Sequence, residues 1–434
     1  MTRPPDVQVL GGGPAGAAAS LLLARWGHAV QLIVRPVARR LAVSLPSSCA
    51  KLFDAIGVSD AIARAGFIRS TGHTVWWGSD APRIETFAAG SLGWQVEVGQ
   101  LSSVMLEQAV EAGVKIERRL APEADHPLVI DCTGRAGVIA CQKDLREYDS
   151  GPRTVALAGE WRREGDWPVP DQTHTLIESY EDGWMWSVPA GGGVRHIAAM
   201  VDPQRSELAR GGSSKDVYLA EIAKTRVFSR LISGATLHQG PRGWDASQYR
   251  AREYAGAGWL LAGDAGSFID PLSSAGVKKA LASGWLAAIV VHTCLSNRSM
   301  LAHALDFFTV REREIEQHLS RESRRFLMDA SGGYHRPFWD ERAEEHSDRP
   351  DDTGAVQRAF EQLKGREEWK GSVGPETLIE PRPIIRGNEI VLEPHLTAHG
   401  DPRGTRYVRG IDMLVVAELA PLSRSVHDLF DACV

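Results

Sequence analysis

The sequence of 434 residues predicts an α/β fold, α+β overall, on three observations. A glycine-rich segment from Gly11 to Gly16 lies between an apolar run and a small-residue run, which predicts a strand, a tight turn and a helix. Later segments rich in Trp and Val alternate in polarity and are typical of antiparallel sheet. A charged, Pro-containing stretch from Arg342 to Asp352 precedes a short tail. We therefore expect a parallel-sheet domain, an inserted antiparallel domain and a small C-terminal α/β module.

The glycine-rich segment carries the residue types that a dinucleotide-binding turn requires. It reads G-x-G-x-x-G, in which the first glycine permits a tight turn, the second lets the backbone approach a pyrophosphate, and the third allows close helix packing. The helix N-terminus that follows offers N–H donors and a positive dipole to the anion. A strand before and a helix after the motif are the context that confirms it, so a Rossmann-like domain is predicted. The predicted cofactor-binding residues here are Gly11, Gly13, Pro14, Ala15 and Gly16.

The second strand, Ala29 to Val34, departs from the usual nucleotide-binding pattern. Such units carry an acidic residue for the ribose at the end of this strand. This chain has Val34 there, followed by Arg35. We expect the ribose to be held in another way and Arg35 to contact phosphate, the alternative being a solvated side chain.

The remaining patterns divide the chain into domains. Helices are predicted over Gln100 to Ala112, Gly276 to Leu295, Leu301 to Met328, Ala355 to Leu363 and Ser425 to Ala432. Two strand-rich segments interrupt the first domain. Short strands are also predicted in the tail, over Asn388 to Leu392 and Thr405 to Val408. The predicted division is 1–67, 96–145 and 250–330 for the dinucleotide domain, 68–95 and 146–249 for a substrate domain, 331–352 for a linker and 353–434 for the C-terminal module.

Bulk composition excludes several classes of function. The net charge is −6, which favours neither nucleic acid nor an acidic membrane surface as partner. Five cysteines without a C-x-x-C pair indicate reduced thiols in a cytoplasmic protein and predict no metal site. The first strand begins within a few residues of Met1, leaving no space for a signal peptide. The apolar run Trp285 to Leu295 is too short to span a bilayer and predicts a buried helix.

A second loop, from Gly263 to Gly276, makes the pattern far more specific. It contains Gly263-Asp264-Ala265 and then Asp270-Pro271. Together with G-x-G-x-x-G, with Asp131-Cys132-Thr133-Gly134 and with a W-x-W-x-V-P segment, it resembles the FAD-dependent aromatic monooxygenases and the related flavin-dependent halogenases. The pieces occur in the order of that family and cover residues 1 to about 330. The cofactor implied is FAD.

The resemblance also implies roles for single residues. Asp264 would bind the ribityl chain, a polyol that needs an acceptor such as a carboxylate. Pro271 would lie in the loop over the isoalloxazine, and the N–H groups of Gly276 and Val277 would face its pyrimidine end, where a helix N-terminus suits an anionic reduced flavin. The two tryptophans of the W-x-W-x-V-P segment would line the substrate pocket, although alternating Trp residues on a strand usually fill a core. These are Trp184 and Trp186.

The reaction implied is aromatic hydroxylation through a flavin C4a-hydroperoxide, with O₂ and with electrons from NAD(P)H or a partner flavin reductase. Halogenases of the family also use a lysine after the first domain's loop. That position reads as Ser70, or as Arg69 with a slip of one residue, and no lysine occurs between Lys51 and Lys115. We therefore favour a hydroxylase, and a flavin-dependent halogenase or a small-molecule aromatic hydroxylase remains the alternative. No catalytic acid or base is evident.

The tail suggests the substrate. It is locally basic, and the whole chain resembles the flavoprotein monooxygenases that mature the tryptophylquinone cofactor of quinohemoprotein amine dehydrogenase. That resemblance implies a Trp side chain in a polypeptide as substrate. The family's charged positions are lost at Val34, Val43 and Val98, which would also fit a flavin-bearing maturation or binding protein without turnover. The arginines that make the tail basic are Arg382, Arg386, Arg403, Arg406 and Arg409.

Overall fold

The computed structural model describes residues 4–36, 41–119, 126–345, 377–397, 403–408 and 411–419. The chain forms two compact units. The first comprises residues 1–291 and 308–348, and the second comprises residues 292–307 and 349–434. The domain boundaries expected from the sequence remain a prediction.

A mixed sheet of six strands forms the base of the first unit. In spatial order its strands are Ala255–Gly256, Trp259–Leu261, Val129–Asp131, Val7–Leu10, Val30–Val34 and Lys115–Arg118. All neighbours pair in parallel except the first two. The central strand Val7–Leu10 is wholly buried, as expected for a parallel strand covered on both faces. The Rossmann-like fold predicted from the sequence is confirmed.

Of the helices beside this sheet, two begin directly after the glycine-rich turn and after the loop that follows Gly263. The glycine-rich turn leads into the helix Pro14–Arg25, whose first position holds Pro14. The second loop leads into the helix Gly276–Ser296. The other helices of this region are Cys49–Ile56, Ser59–Arg64, Val98–Glu111 and Val138–Gln142.

A sheet of seven strands, called the substrate sheet after the predicted substrate domain, forms the second layer of the first unit. In spatial order the strands are Thr236–Asp245, Val155–Arg162, Val194–Val201, Gly183–Gly191, Thr175–Tyr180, Gly72–Trp76 and Arg83–Thr86. It is antiparallel, apart from one parallel pair between Gly72–Trp76 and Thr175–Tyr180. The helices Ser214–Lys224 and Val227–Leu231 bury Tyr218 and Phe228 in the core beside the sheet. This is the antiparallel insertion that the alternating pattern predicts.

Two small sheets of three antiparallel strands complete the first unit. One contains Ala42–Leu45, Gly93–Glu97 and Ile68–Ser70, and the other contains Arg146–Tyr148, Tyr249–Ala251 and Ser267–Phe268. In the second of these sheets, the chain passes from the first predicted domain to the inserted one near Tyr148 and returns near Tyr249. The strand Ser267–Phe268, in the loop that follows Gly263, pairs with the returning segment. The pairing of Tyr249 with Phe268 therefore fixes the start of this loop beside the strand Tyr249–Ala251.

Part of the expected linker is ordered helix. The long helix Leu301–Tyr334 runs past its predicted end, and a further helix, Pro337–Glu345, follows it. Trp339 is wholly buried and donates a hydrogen bond of 2.8 Å from Nε1 to the Tyr180 carbonyl oxygen. The charged composition of residues 331–352 favoured a linker, but Tyr334, Phe338 and Trp339 give this segment an apolar face that packs on the substrate sheet.

The second unit contains two hairpins. Leu378–Arg386 pairs with Glu389–Thr397, and Tyr407–Val408 pairs with Ile411–Asp412, followed by the helix Met413–Leu419. The sequence did not predict the first strand, because it contains two prolines, which sheets admit on edge strands. The helices predicted over Ala355 to Leu363 and Ser425 to Ala432 lie outside the described residues.

One described helix, Gly276–Ser296, has the length and apolarity needed to cross a membrane. Most of the relevant window is buried within the protein, 61% of it. The run Ala287 to Val291 is wholly buried, and the helix also carries the buried Lys279. These features fit the core helix that the sequence predicts here.

Candidate functional site

The glycine-rich turn has the shape of an anion cradle. Gly11 has a φ of +100°, in the region that favours glycine, and a Cβ on Gly16 would lie 1.8 Å from the Gly11 carbonyl oxygen. A Cβ on Gly13, in contrast, would have no atom within 4 Å. The first and third glycines are therefore required for packing, whereas the second borders open space.

The helix N-terminus at this turn is uncapped. Gly13 occupies the cap position and has no side chain with which to accept a hydrogen bond from the first turn, whose N–H groups have no partner within the helix. Pro14, Ala15 and Gly16 are buried, which fixes the direction of this turn. Open space beside free N–H donors fits a pyrophosphate.

The end of the second strand explains one departure from the nucleotide-binding pattern. A Cβ on Gly12 would lie 2.8 Å from Cγ2 of Val34, so the valine side chain packs directly beside the glycine-rich turn. Arg35 follows it and is exposed. Its contact with phosphate remains a prediction.

Asp131 organises the turn of Asp131-Cys132-Thr133-Gly134. Oδ1 accepts hydrogen bonds from N and Oγ1 of Thr133, at 3.0 and 2.6 Å, and Oδ2 accepts one of 2.7 Å from N of Ile139. Burial raises the pKa of this carboxyl, although these hydrogen bonds act to lower it. The carboxylate therefore serves the local structure, and a Cβ on Gly11 would lie 2.3 Å from the Cys132 carbonyl oxygen, which puts this turn against the glycine-rich one.

The turn Gly263–Ala265 contacts the turn Gly134–Ala136 and so joins the other motifs. The Asp264 side chain is 33% exposed, and its Oδ1 lies 3.5 Å from Nζ of Lys279. The Asp264 carbonyl oxygen accepts a hydrogen bond of 2.5 Å from the Tyr249 hydroxyl. The carboxylate is thus held from one side and accessible from the other.

The loop that follows has a constrained backbone. Oδ1 of Asp270 accepts a hydrogen bond of 2.9 Å from N of Leu272, next to Pro271. Ser274 has a φ of +49°, which is uncommon for a residue other than glycine. Gly276 then begins the helix Gly276–Ser296, and a Cβ on Gly276 would have no atom within 4 Å. Open space therefore borders a second helix N-terminus, beside Val277.

The two tryptophans of the W-x-W-x-V-P segment belong to an aromatic cluster. Trp184 is 3% exposed, and its ring centroid lies 5.2 Å from that of Trp186 and 6.2 Å from that of Trp77. The ring centroids of Trp77 and Trp339 are 5.3 Å apart. Leu272, from the loop after Asp270, also packs against this cluster. Trp184 therefore has a core environment, and the role of both indoles at the substrate remains a prediction.

The resemblance assigns the halogenase lysine to Ser70 or Arg69, and both of these side chains have structural contacts. Ser70 is 0% exposed, and its Oγ accepts a hydrogen bond of 3.0 Å from Nε2 of Gln95. The Arg69 guanidinium lies over the Trp94 ring at 4.4 Å and donates hydrogen bonds to the carbonyl oxygens of Leu92 and Gly93. Both side chains are committed to the structure.

The family model described as "FAD binding domain" matches residues 5–125. A tryptophan 2-halogenase of Chondromyces crocatus is 27% identical over 70% of this chain, and a flavin-dependent halogenase of Armillaria mellea is 26% identical over 66%. The chain spans 64% and 67% of the lengths of these relatives, about two thirds.

Solved structures share the fold over almost the whole chain. The flavin-dependent halogenase CmlS has a TM-score of 0.78 at 20% identity, covering 100% of this chain and 92% of its own. The peptidyl tryptophan dihydroxylase QhpG has a TM-score of 0.69 at 20% identity, covering 99% and 95%. In sequence and fold the chain is therefore similar to the FAD-dependent monooxygenases and halogenases, and its residues 5–125 match an FAD-binding domain. Its cofactor is FAD.

The basic tail of this flavoprotein is partly neutralised. Arg382 pairs with Glu380 at 2.6 Å, Arg386 pairs with Glu393 at 2.7 Å, and Arg406 pairs with Asp412. Arg409 lies outside the described residues. The charge of these three arginines is therefore balanced by acidic residues of the tail itself.

Sequence reasoning missed two buried side chains near the motifs. Lys279, on the helix Gly276–Ser296, is 3% exposed and contacts the Gly263–Ala265 turn. Glu312, on the long helix Leu301–Tyr334, is 0% exposed. Both stand in helical patterns that look amphipathic, so no local signal marks them. Among the described residues no cluster of His, Cys, Asp and Glu could hold a metal ion.

Proposed function

We propose that this flavoprotein is a monooxygenase that hydroxylates the indole ring of an aromatic substrate. The observation that carries the proposal is the environment of Ser70. A halogenase of this superfamily would need a free lysine amine there, and Ser70 is a buried hydroxyl bonded to Gln95. Arg69 stacks on Trp94, so it does not supply an amine either.

The residues present fit the cofactor. The open space at Gly13 and the uncapped helix N-terminus suit its pyrophosphate, and the partly exposed carboxylate of Asp264 suits the ribityl hydroxyls. Bound FAD, once reduced by NAD(P)H or a partner flavin reductase, would supply the activation of O₂. The N–H groups of Gly276 and Val277 would favour negative charge at the flavin ring.

The protein's further contribution would be position and exclusion of water. Leu272, in the loop after Asp270, packs against the aromatic cluster of Trp184 and Trp186, and this cluster would form one wall of the substrate site. An electron-rich indole stacks well on such aromatic surfaces. An indole of this kind would react with activated oxygen without a strong catalytic base.

Halogenation is the second candidate, favoured by the two halogenase relatives at 27% and 26% identity. The purified protein, supplied with FAD, a flavin reductase, NADH, O₂ and bromide, should insert oxygen into an indole substrate and form no brominated product. Ser70→Ala should retain oxygen insertion, because Ser70 has only a structural contact here. A brominated indole as main product would overturn the proposal in favour of the halogenases.

We further propose that the indole belongs to a Trp residue of a polypeptide, as in tryptophylquinone biogenesis. The likeness to QhpG, a peptidyl tryptophan dihydroxylase, supports this substrate. A Trp-containing polypeptide should be turned over much faster than free tryptophan. Equal turnover of free tryptophan would indicate a small-molecule hydroxylase. If no substrate stimulates NAD(P)H oxidation, the chain is instead a flavin-bearing binding protein.

A further inference from the structure

The turn that carries Asp264 is held by contacts with the side chain of one buried lysine, Lys279. Nζ of Lys279 donates a hydrogen bond of 3.2 Å to the Gly263 carbonyl oxygen and another to the Ser267 carbonyl oxygen. The same atom lies 3.5 Å from Oδ1 of Asp264. An ammonium group has three N–H donors, and these three acceptors match them.

A second side chain of the helix Gly276–Ser296, that of Ser283, also forms a hydrogen bond with this turn. N of Gly263 donates a hydrogen bond of 2.8 Å to Oγ of Ser283, which lies one helical turn after Lys279. Both backbone polar groups of Gly263 are thus held by the helix Gly276–Ser296. Gly263 has a φ of +64°, so the turn has a conformation that other residues rarely adopt.

The ammonium group of Lys279 is buried, and polar groups around it compensate for its charge. Its side chain is 1% exposed, and a buried ammonium is costly unless it is paired and hydrogen-bonded. Its ion-pair partner is Asp264, and the carboxyl group of the wholly buried Glu312 interacts with its charge as well. A lysine that served packing alone would leave its ammonium group in water, as lysines usually do.

We propose that Lys279 is a positioning residue for the cofactor, holding the Asp264 carboxylate aimed at the ribityl chain of FAD. Asp264 then accepts hydrogen bonds from the polyol with the part of its side chain that remains exposed. Lys279 does not touch the cofactor. It acts through Asp264 and through the two carbonyl groups that shape the turn.

The test separates this role from a general structural one. FAD contains the ribityl chain, whereas ADP carries only the adenosine and a pyrophosphate. For Lys279→Met in the full-length apoprotein, we expect the Kd for FAD to rise at least tenfold and the Kd for ADP to change less than twofold. The matched control is Lys215→Met, which removes an exposed lysine of the substrate domain and should leave both constants unchanged.

A second variant keeps the test decisive if Lys279→Met does not fold. Lys279→Gln retains amide donors for the carbonyl groups but removes the charge that faces Asp264, so its Kd for FAD should again rise while that for ADP holds. Circular dichroism of the apoproteins checks folding. An unchanged Kd for FAD, or an equal weakening of FAD and ADP, would overturn the proposal.

Discussion

Gly284 lies directly against the backbone of Ala15, and a Cβ on Gly284 would come within 2.2 Å of the Ala15 carbonyl oxygen. This contact packs the middle of the helix Gly276–Ser296 against the first turn of the helix Pro14–Arg25. The two helices begin at the two loops that the resemblance assigns to FAD. Their close approach therefore fixes the distance between the pyrophosphate cradle and the loop after Asp270.

The contact predicts the effect of adding one methyl group. Gly284→Ala should lower the free energy of unfolding by about 1–3 kcal/mol, because the overpacking outweighs the gain of about 1 kcal/mol in helix propensity. Gly332→Ala is the matched control, since Gly332 is also helical and a Cβ there meets no atom within 4 Å. Urea unfolding should show that variant to be unchanged or more stable. Equal stability of both variants would contradict the close packing.

Gly13 offers the opposite case, a glycine that the fold tolerates replacing. Gly13→Asp adds a side chain into open space at a helix N-cap, where Asp is a favoured residue, so the apoprotein should stay folded. The added carboxylate would occupy the cradle and repel the pyrophosphate, so FAD binding should be lost. Fluorescence titration with FAD measures this. Gly90→Asp, at an exposed glycine with open space, controls for the charge, and full FAD retention by Gly13→Asp would contradict the assignment of the cradle.

Glu312 predicts a pH dependence of stability. Burial raises the pKa of its carboxyl from 4.5 to about 7, although the Lys279 charge and the Ser283 hydroxyl act to lower it. The Cys132 thiol and the Tyr254 hydroxyl also interact with the Glu312 carboxyl group.

The direction follows from the protons bound. The folded state holds the Glu312 proton more tightly than the unfolded state, so this group's contribution to stability is complete below pH 4.5 and is lost as the pH rises to about 7. Glu312→Gln cannot ionise. Its stability relative to the wild-type protein should therefore increase from pH 5 to pH 8, by on the order of 1–3 kcal/mol. Thermal or urea unfolding at several pH values tests this, with Glu322→Gln, at a partly exposed glutamate, as control. A difference that does not vary with pH would contradict it.

The motifs were predictable because their chemistry is local. Gly11, Gly13 and Gly16 are close in sequence, and their spacing alone specifies a turn between a strand and a helix. Lys279 and Glu312 could not be found in this way, because their environments arise only when two helices and the Gly263 turn pack together. Charged residues in a helical pattern normally face solvent, whereas Lys279 and Glu312 are buried.

The segment after residue 330 was misjudged for a related reason. Its many charged residues favoured a linker, yet three aromatic residues, Tyr334, Phe338 and Trp339, face the substrate sheet. The sequence does not show which surface would receive them. That surface is made by strands more than a hundred residues earlier, which contribute Ala156, Ile177, Trp184 and Met200.

The burial of Trp339 gives the last prediction. Trp339→Phe keeps an aromatic ring but removes the Nε1 donor, so the buried Tyr180 carbonyl oxygen loses that hydrogen bond and a small cavity opens. The free energy of unfolding should fall by about 1–3 kcal/mol. Trp244→Phe replaces a tryptophan that is 37% exposed, and it should change stability by no more than about 0.5 kcal/mol. Because both changes remove an indole, unfolding is best followed by far-ultraviolet circular dichroism. Equal stability of the two variants would mean that the helix Pro337–Glu345 does not belong to the cooperative core.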